Sequence, residues 1–171
     1  MPDLCINALN IKTDRVCVTP HEKVYTDIGV SKLTEHTRGY IKIEDGCNRF
    51  CSYCIIPYLR GRSRSRNPEG IIKEINGLSA YEVIINGINL SSFNYEGREF
   101  ADLFEDLIDV KKRIRIGSLE VGVVNSRLLE NLENLYDFAP HFHLSLQSGS
   151  NSVLKSMNRK YTREQFIDKV N

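Results

Sequence analysis

No stretch of this 171-residue sequence approaches the ~20 consecutive apolar residues that cross a membrane. The first residues, Met1-Pro2-Asp3-Leu4-Cys5, lack the charged-then-apolar pattern of a secretory signal. A cytoplasmic address is the expectation, with no membrane partner. Charge of one sign is missing too: 23 Lys+Arg stand against 22 Asp+Glu, a net of +1. Global electrostatics therefore predict no nucleic-acid partner, DNA included, and any such contact has to be read from local charge. Internal repeats and low-complexity tracts are absent. The 41% hydrophobic content is what one packed domain needs, and nothing marks the chain as disordered.

An even cysteine count is also lacking. There are five cysteines, and Cys47, Cys51 and Cys54 fall within eight residues. A secreted disulfide scaffold pairs its cysteines and spreads them out, whereas clustering in a cytosolic chain points to metal or redox chemistry.

Residues 1–37 read as a linker or the remnant of another domain, because Thr19-Pro20, Ile28-Gly29 and scattered charges break up short apolar pieces. From residue 38 the pattern is regular. Tyr40–Ile43 predicts a strand. Asn67-Pro68-Glu69 is a helix start, with a capping side chain, proline at the first helical position and an acid at the positive end. Ile71, Ile72, Ile75 and Leu78 then share one face. Tyr81–Ile85 predicts a second strand, and Phe100, Leu103, Phe104, Leu107 and Ile108 a helical stripe. Arg113–Ser118 predicts a third strand. Asn125 or Ser126 caps a helix burying Leu128, Leu129, Leu132 and Leu135. Phe142, Leu144 and Leu146 alternate as a fourth strand, whose other face carries His141, His143 and Ser145. Thr162 caps a last helix with Phe166, Ile167 and Val170. Four strand–helix alternations predict an α/β chain with a parallel sheet, whose ligands bind on the loops after the strands. The cysteine loop is one of these.

The run Gly46-Cys47-Asn48-Arg49-Phe50-Cys51-Ser52-Tyr53-Cys54 offers three thiolates. One iron–sulfur cubane normally takes four, so three leave one iron open, as catalytic metal sites do. The competing reading is a zinc site that adds a histidine such as His36. Structural zinc motifs usually pair two short clusters, and no second cluster exists here.

This spacing resembles the radical S-adenosylmethionine (SAM) superfamily. The resemblance implies a partial (β/α) barrel, here with about four β/α units, a [4Fe–4S] cluster on Cys47, Cys51 and Cys54, and SAM chelating the open iron. Reduction by an electron donor would cleave SAM to a 5′-deoxyadenosyl radical. It also implies that Tyr53 lies near the adenine. Longer segments are similar to the tRNA methylthiotransferases: Arg38-Gly39-Tyr40-Ile41-Lys42-Ile43-Glu44-Asp45-Gly46-Cys47, Ile55-Ile56-Pro57-Tyr58-Leu59-Arg60-Gly61-Arg62-Ser63-Arg64-Ser65-Arg66, Arg115-Ile116-Gly117-Ser118-Leu119-Glu120, His143-Leu144-Ser145-Leu146-Gln147-Ser148-Gly149-Ser150 and Met157-Asn158-Arg159-Lys160-Tyr161-Thr162. Gly87-Ile88-Asn89-Leu90-Ser91-Ser92 and the ending Asn158-Arg159-Lys160-Tyr161-Thr162 look most like the branch that acts on N6-threonylcarbamoyladenosine beside the anticodon. The isopentenyladenosine and ribosomal-protein branches are the alternatives, followed by a different one-cluster radical enzyme and a non-catalytic metal-binding RNA module.

In such a family Asn86 and Gly87 would border the methionine part of SAM, and Glu120, Gln147 and Ser148 would hold cofactor or substrate. Arg60, Arg62, Arg64 and Arg66 follow the cluster loop without an intervening acid. In extended chain they would share one edge suited to a tRNA backbone, with Tyr58 placed to stack on a base. The family also has an auxiliary cluster on three further N-terminal cysteines. Cys5 and Cys17 are two, so residues 38–171 are expected to be a core domain that generates radicals without completing sulfur insertion alone.

Overall fold

The computed structural model describes residues 23–26 and 37–171. The segment read as a linker or remnant, with Cys5, Cys17 and His36, lies almost wholly outside them. Nine short strands and six α-helices follow in order among the described residues. Strands β1 (Arg38–Asp45), β2 (Arg64–Ser65), β3 (Glu82–Gly87), β6 (Arg113–Ile116) and β8 (Asp137–Phe138) form one sheet in the order β2-β1-β3-β6-β8. All its pairs are parallel except β1 with β2.

Past Gly117 the third and fourth tracks pair again as β7 (Ser118–Leu119) and β9 (His143–Leu144), also in parallel. Between the two pairings the partner slips by one residue: Ile114 faces Phe138, but Ser118 faces His143. An extra residue of this kind bends a sheet and re-aims its end. The result is a partial barrel with the four β/α units that the sequence predicts. A small hairpin, β4 (Asn94–Tyr95) with β5 (Arg98–Glu99), sits between the second and third units.

Alternation along the strands decides which face is covered. Ile41, Ile43, Val83, Ile85, Ile114 and Ile116 are at most 1% exposed and point to the helices. Beyond a one-turn helix α1 (Ile56–Leu59), the helix α2 (Pro68–Gly77) starts as its sequence dictates: Asn67 Oδ1 accepts from Glu69 N at 2.9 Å, Pro68 is the first helical residue, and Ile71 and Ile75 are buried. The stripe of α3 (Phe100–Glu105) and the face of α4 (Ser126–Glu133) complete the core with Phe104, Leu128 and Leu132. Each such side chain contributes about 1.5–3 kcal/mol.

Four expectations differ: first, the strand expected over Phe142, Leu144 and Leu146 forms only as His143–Leu144, while the five-stranded sheet is joined earlier, at Asp137–Phe138. Ile108 and Leu129 are each 41% exposed. The helix of the first ends at Glu105, and Leu129 lies a third of a turn from the buried Leu128–Leu132 face. After α5 (Asn151–Ser156), the helix α6 (Arg163–Val170) forms with its predicted Thr162 cap but buries no residue, leaving Ile167 and Val170 exposed.

Candidate active site

The cysteine loop leaves the carboxyl end of β1 through Gly46. Gly46 has φ +82, and a Cβ there would sit 2.1 Å from the Arg62 carbonyl oxygen, so only glycine fits. Cys47 N–H donates to Gly61 O at 3.1 Å and Cys54 N–H to Cys51 O at 2.9 Å, which folds the loop back on itself. Cys47 and Cys51 are buried, Cys54 half-buried, and all three are free thiols.

Beneath the loop lies Glu44, fully buried. Its Oε2 accepts from Asn89 N at 2.8 Å and its Oε1 from Ser63 Oγ at 2.8 Å. Burial pushes its carboxyl up to about 7, against those hydrogen bonds. Glu44 thereby ties the loop after β3 to the end of β1. The Asn89 side chain then reaches Cys47 Sγ at 3.7 Å.

The turn between α5 and α6 clips the cysteine loop from the other side. Ser52 N–H donates to Met157 O at 3.2 Å, and Asn158 Nδ2 donates to Phe50 O at 2.9 Å. Arg159 Nη1 donates to Cys51 Sγ at 3.2 Å. Glu120, at the end of β7, holds Arg49 at 2.6 Å and Arg159 at 3.4 Å. Phe50, Gln147 and Asn158 all have positive φ, as does one further non-glycine described residue, Glu96. Such conformations cost energy and gather where the surroundings enforce them, here around one site.

Between these groups opens a cleft of about 190 Å³, lined by the three thiols together with Glu120, Gln147 and Arg159. Tyr53 and Gln147 meet across its mouth, the hydroxyl donating to Oε1 at 3.1 Å. Asn86, Gly87 and Ser148 do not line it. The Asn86 side chain packs against Gly117, where a Cβ would come within 2.3 Å of Oδ1. Gly87 lies over Glu44 and Leu90, and Ser148 Oγ accepts from Ser150 N at 3.1 Å. Their neighbours Ile88, Asn89 and Ser145 take the lining positions. His141 and His143 are exposed, and His143 Nδ1 shares a hydrogen bond with Ser118 Oγ at 3.0 Å.

The arginine run does not form one shared edge. Its β2 segment pairs antiparallel with β1, which turns half of it inward. Arg64 is held by Asp45 at 3.2 Å and by the Arg60 and Arg62 carbonyls. Arg66 is buried in an ion pair with Glu74. Only Arg60 and Arg62 face solvent, Arg62 with its guanidinium 4.6 Å from the Phe50 ring centre. Tyr58 is exposed beside them, edge-on to Phe50.

Among the described residues, no three His, Cys, Asp or Glu side chains converge on a point that one metal ion would occupy. A tetrahedral zinc needs such convergence, whereas a cubane takes each thiolate at a different iron. The three free thiols, with hydrogen-bond donors at the Cys47 and Cys51 sulfurs, fit a cubane that leaves one iron open. Burial pushes the Cys47 thiol up, against hydrogen bonds from Arg49 N and Asn89 Nδ2.

Comparison with known proteins agrees with this geometry. The family profile of the Radical SAM superfamily matches residues 41–171. The "Threonylcarbamoyladenosine tRNA methylthiotransferase MtaB" of Bacillus subtilis is 40% identical over 157 residues, covering 87% of this chain and 35% of that protein. Its namesake in Chlamydia pneumoniae is 44% identical, covering 88% and 37%. The "tRNA-2-methylthio-N(6)-dimethylallyladenosine synthase" of Pelotomaculum thermopropionicum is 41% identical, covering 81% and 33%. The chain thus spans about a third of the length of the curated relatives it matches. Among solved structures, the radical SAM methyltransferase TsrM from Kitasatospora setae aligns with a TM-score of 0.64 at 14% identity, over 78% of this chain and 27% of that one. The cobalamin-dependent radical enzyme OxsB aligns at 0.62 and 16%, over 77% and 21%. These two establish the fold. With a profile match running from β1 to the last residue, this chain belongs to the radical SAM superfamily.

Proposed function

We propose that residues 38–171 are the radical-generating core of a tRNA methylthiotransferase that modifies C2 of N6-threonylcarbamoyladenosine beside the anticodon. The observation that carries this reading is the 40–44% identity to two threonylcarbamoyladenosine enzymes over nearly the whole chain, cysteine loop included. The superfamily is one of [4Fe–4S] and SAM chemistry. Together these groups, when bound, supply a radical able to break an unreactive C–H bond.

The chain's own residues would do the rest. Cys47, Cys51 and Cys54 hold the cluster. Tyr53 and Gln147, joined at the cleft mouth, border the adenosyl end of SAM. Asn89, carried by the Glu44-anchored loop, borders the methionine end; Asn86 and Gly87 support that loop from behind. Glu120 keeps Arg49 and Arg159 beside the thiols, and Ser148 shapes the turn that presents Gln147. Arg60, Arg62 and Tyr58 meet the tRNA, while Arg64 and Arg66 hold their backbone in place.

The triad cysteines are the only ones in residues 38–171. Three thiolates serve one cluster, so ligands for the family's auxiliary cluster have to come from elsewhere. Anaerobic incubation of this polypeptide with SAM and reductant is expected to give 5′-deoxyadenosine, and no methylthio nucleoside in added tRNA. Methylthio product from these 171 residues alone would overturn the division of labour.

A second branch is favoured by the dimethylallyladenosine relative, at 41% identity. The two readings part on the tRNA that competes for the exposed arginines. Threonylcarbamoyladenosine tRNA should bind more tightly than dimethylallyladenosine tRNA, and the reverse order would select the second branch.

A further inference from the structure

Arg159 is built in more firmly than a solvated arginine. Its side chain is 7% exposed. Nη1 donates to Cys51 Sγ at 3.2 Å and lies 3.4 Å from Glu120 Oε1. Nε donates to the Tyr161 hydroxyl at 3.4 Å, and the guanidinium carbon stands 5.3 Å from the centre of that ring. Tyr161 is itself pinned, its hydroxyl donating to Ser145 O at 2.5 Å and Leu146 O at 2.9 Å. On the backbone, Arg159 N–H donates to Leu154 O at 2.9 Å, next to the left-handed Asn158.

An arginine is always charged, and a buried charge is costly unless it is answered. Glu120 answers Arg159 only in part, because its other oxygen is held by Arg49 at the shorter 2.6 Å. Two guanidinium groups on one carboxylate leave a surplus positive charge. The thiol set lines the same cleft, with Arg159 in contact with the middle cysteine. An arrangement of this kind suits a group that becomes more negative.

We propose that Arg159 tunes the cluster held by Cys47, Cys51 and Cys54, stabilising its reduced form through charge and a hydrogen bond at the Cys51 sulfur. This rests on the cluster reading above. Reduction potentials of iron–sulfur clusters follow net charge, hydrogen bonds to sulfur and solvent exposure, and Arg159 acts on the first two. The step it assists is simple. One electron leaves an external low-potential donor and adds one unit of negative charge at the cluster, with no bond broken and no proton required. Arg159 is a positioning residue: it touches the ligand sulfur and does not react.

The test is an anaerobic redox titration, followed by electron paramagnetic resonance, of the reconstituted parent chain and of Arg159→Gln and Arg159→Lys, with iron and sulfide measured on each. The Gln variant is expected to load like the parent and to lose at least tenfold in the reduced-to-oxidised ratio at a fixed donor potential, about 59 mV for a one-electron couple. The Lys variant keeps the charge but not the fork, and should shift less in the same direction. A Gln variant that titrates at the parent's potential overturns the proposal. So does failure of both variants to load, which would make Arg159 a folding residue only. A parent that itself takes up no iron and sulfide refutes the cluster reading instead, and the two failures are distinguishable.

Discussion

Glu44 is a residue whose chemistry departs from what its type suggests. It is a carboxyl with no exposed surface, accepting from the Asn89 backbone N–H and the Ser63 hydroxyl. Its folded value of about 7 lies above the ordinary 4.5, so the folded state binds its proton more tightly than the unfolded chain does. The associated stability is fully present below 4.5 and is lost as pH rises to about 7. That loss is about 3 kcal/mol. Urea unfolding of the metal-free chain across this range should show the decline, and Glu44→Gln should flatten it. Equal slopes in parent and variant would remove Glu44 as the cause. The carboxyls of Asp45, Glu82 and Glu164 are shifted down, so their contributions change only at lower pH. The arginine run divides at the same scale. Arg66→Ser breaks a buried ion pair and should cost about 3–5 kcal/mol in unfolding free energy. The Arg60→Ser/Arg62→Ser double variant should unfold like the parent, yet bind tRNA more weakly with a salt slope reduced by about two. If the double variant keeps the parent's salt slope, these arginines do not touch RNA.

Among the elements, the turn between α5 and α6 carries the heaviest structural duty for its size. It holds the cysteine loop through the Asn158 side chain and the Met157 carbonyl and delivers Arg159. Asn158→Gly keeps the left-handed backbone free of strain but removes the clip. Asn158→Ala removes the clip and adds roughly 1–2 kcal/mol of left-handed strain. Both should retain helical circular dichroism while losing bound iron faster than the parent on gel filtration, and Ala should be the less stable. Retention of iron equal to the parent's in the Gly variant would show that the clip is dispensable. Elements with local signals were legible in the sequence: α2 through Asn67 and Pro68, α4 through Asn125, α6 through Thr162, and the helix-facing halves of the strands through their alternating isoleucines. Strand β2 was not, because an Arg-Ser pair becomes a strand only by lying against Glu44 and Asp45. The inward turn of Arg64 and Arg66 follows from that pairing and was hidden with it. Arg159 and Asn158 were visible only as part of a matched segment. Their partners stand about a hundred residues earlier, and no spacing rule links Arg159 to Cys51. The lining role passed from Asn86 and Gly87 to Ile88 and Asn89 because β3 runs on to Gly87 before the loop begins.

At the scale of the whole molecule, a half-barrel presents every feature named here at one end of its parallel strands. The cysteine loop follows β1, Asn89 follows β3, Glu120 follows β7, and Gln147 follows β9. This is the end at which parallel sheets bind ligands, and here four separate loops converge on it. Among the described residues no helix is long and apolar enough to cross a membrane. With a net charge of +1, attraction for RNA depends on where the exposed arginines lie and not on the total. The central claim is that Cys47, Cys51 and Cys54 hold a [4Fe–4S] cluster with one open iron. Its most direct test is metal and sulfide analysis of the anaerobically reconstituted chain, beside a variant with all three cysteines changed to alanine. The account predicts about four iron and four sulfide per chain with the charge-transfer absorption of a cubane, and none of either in the variant. Stoichiometric zinc without sulfide in the parent would contradict it.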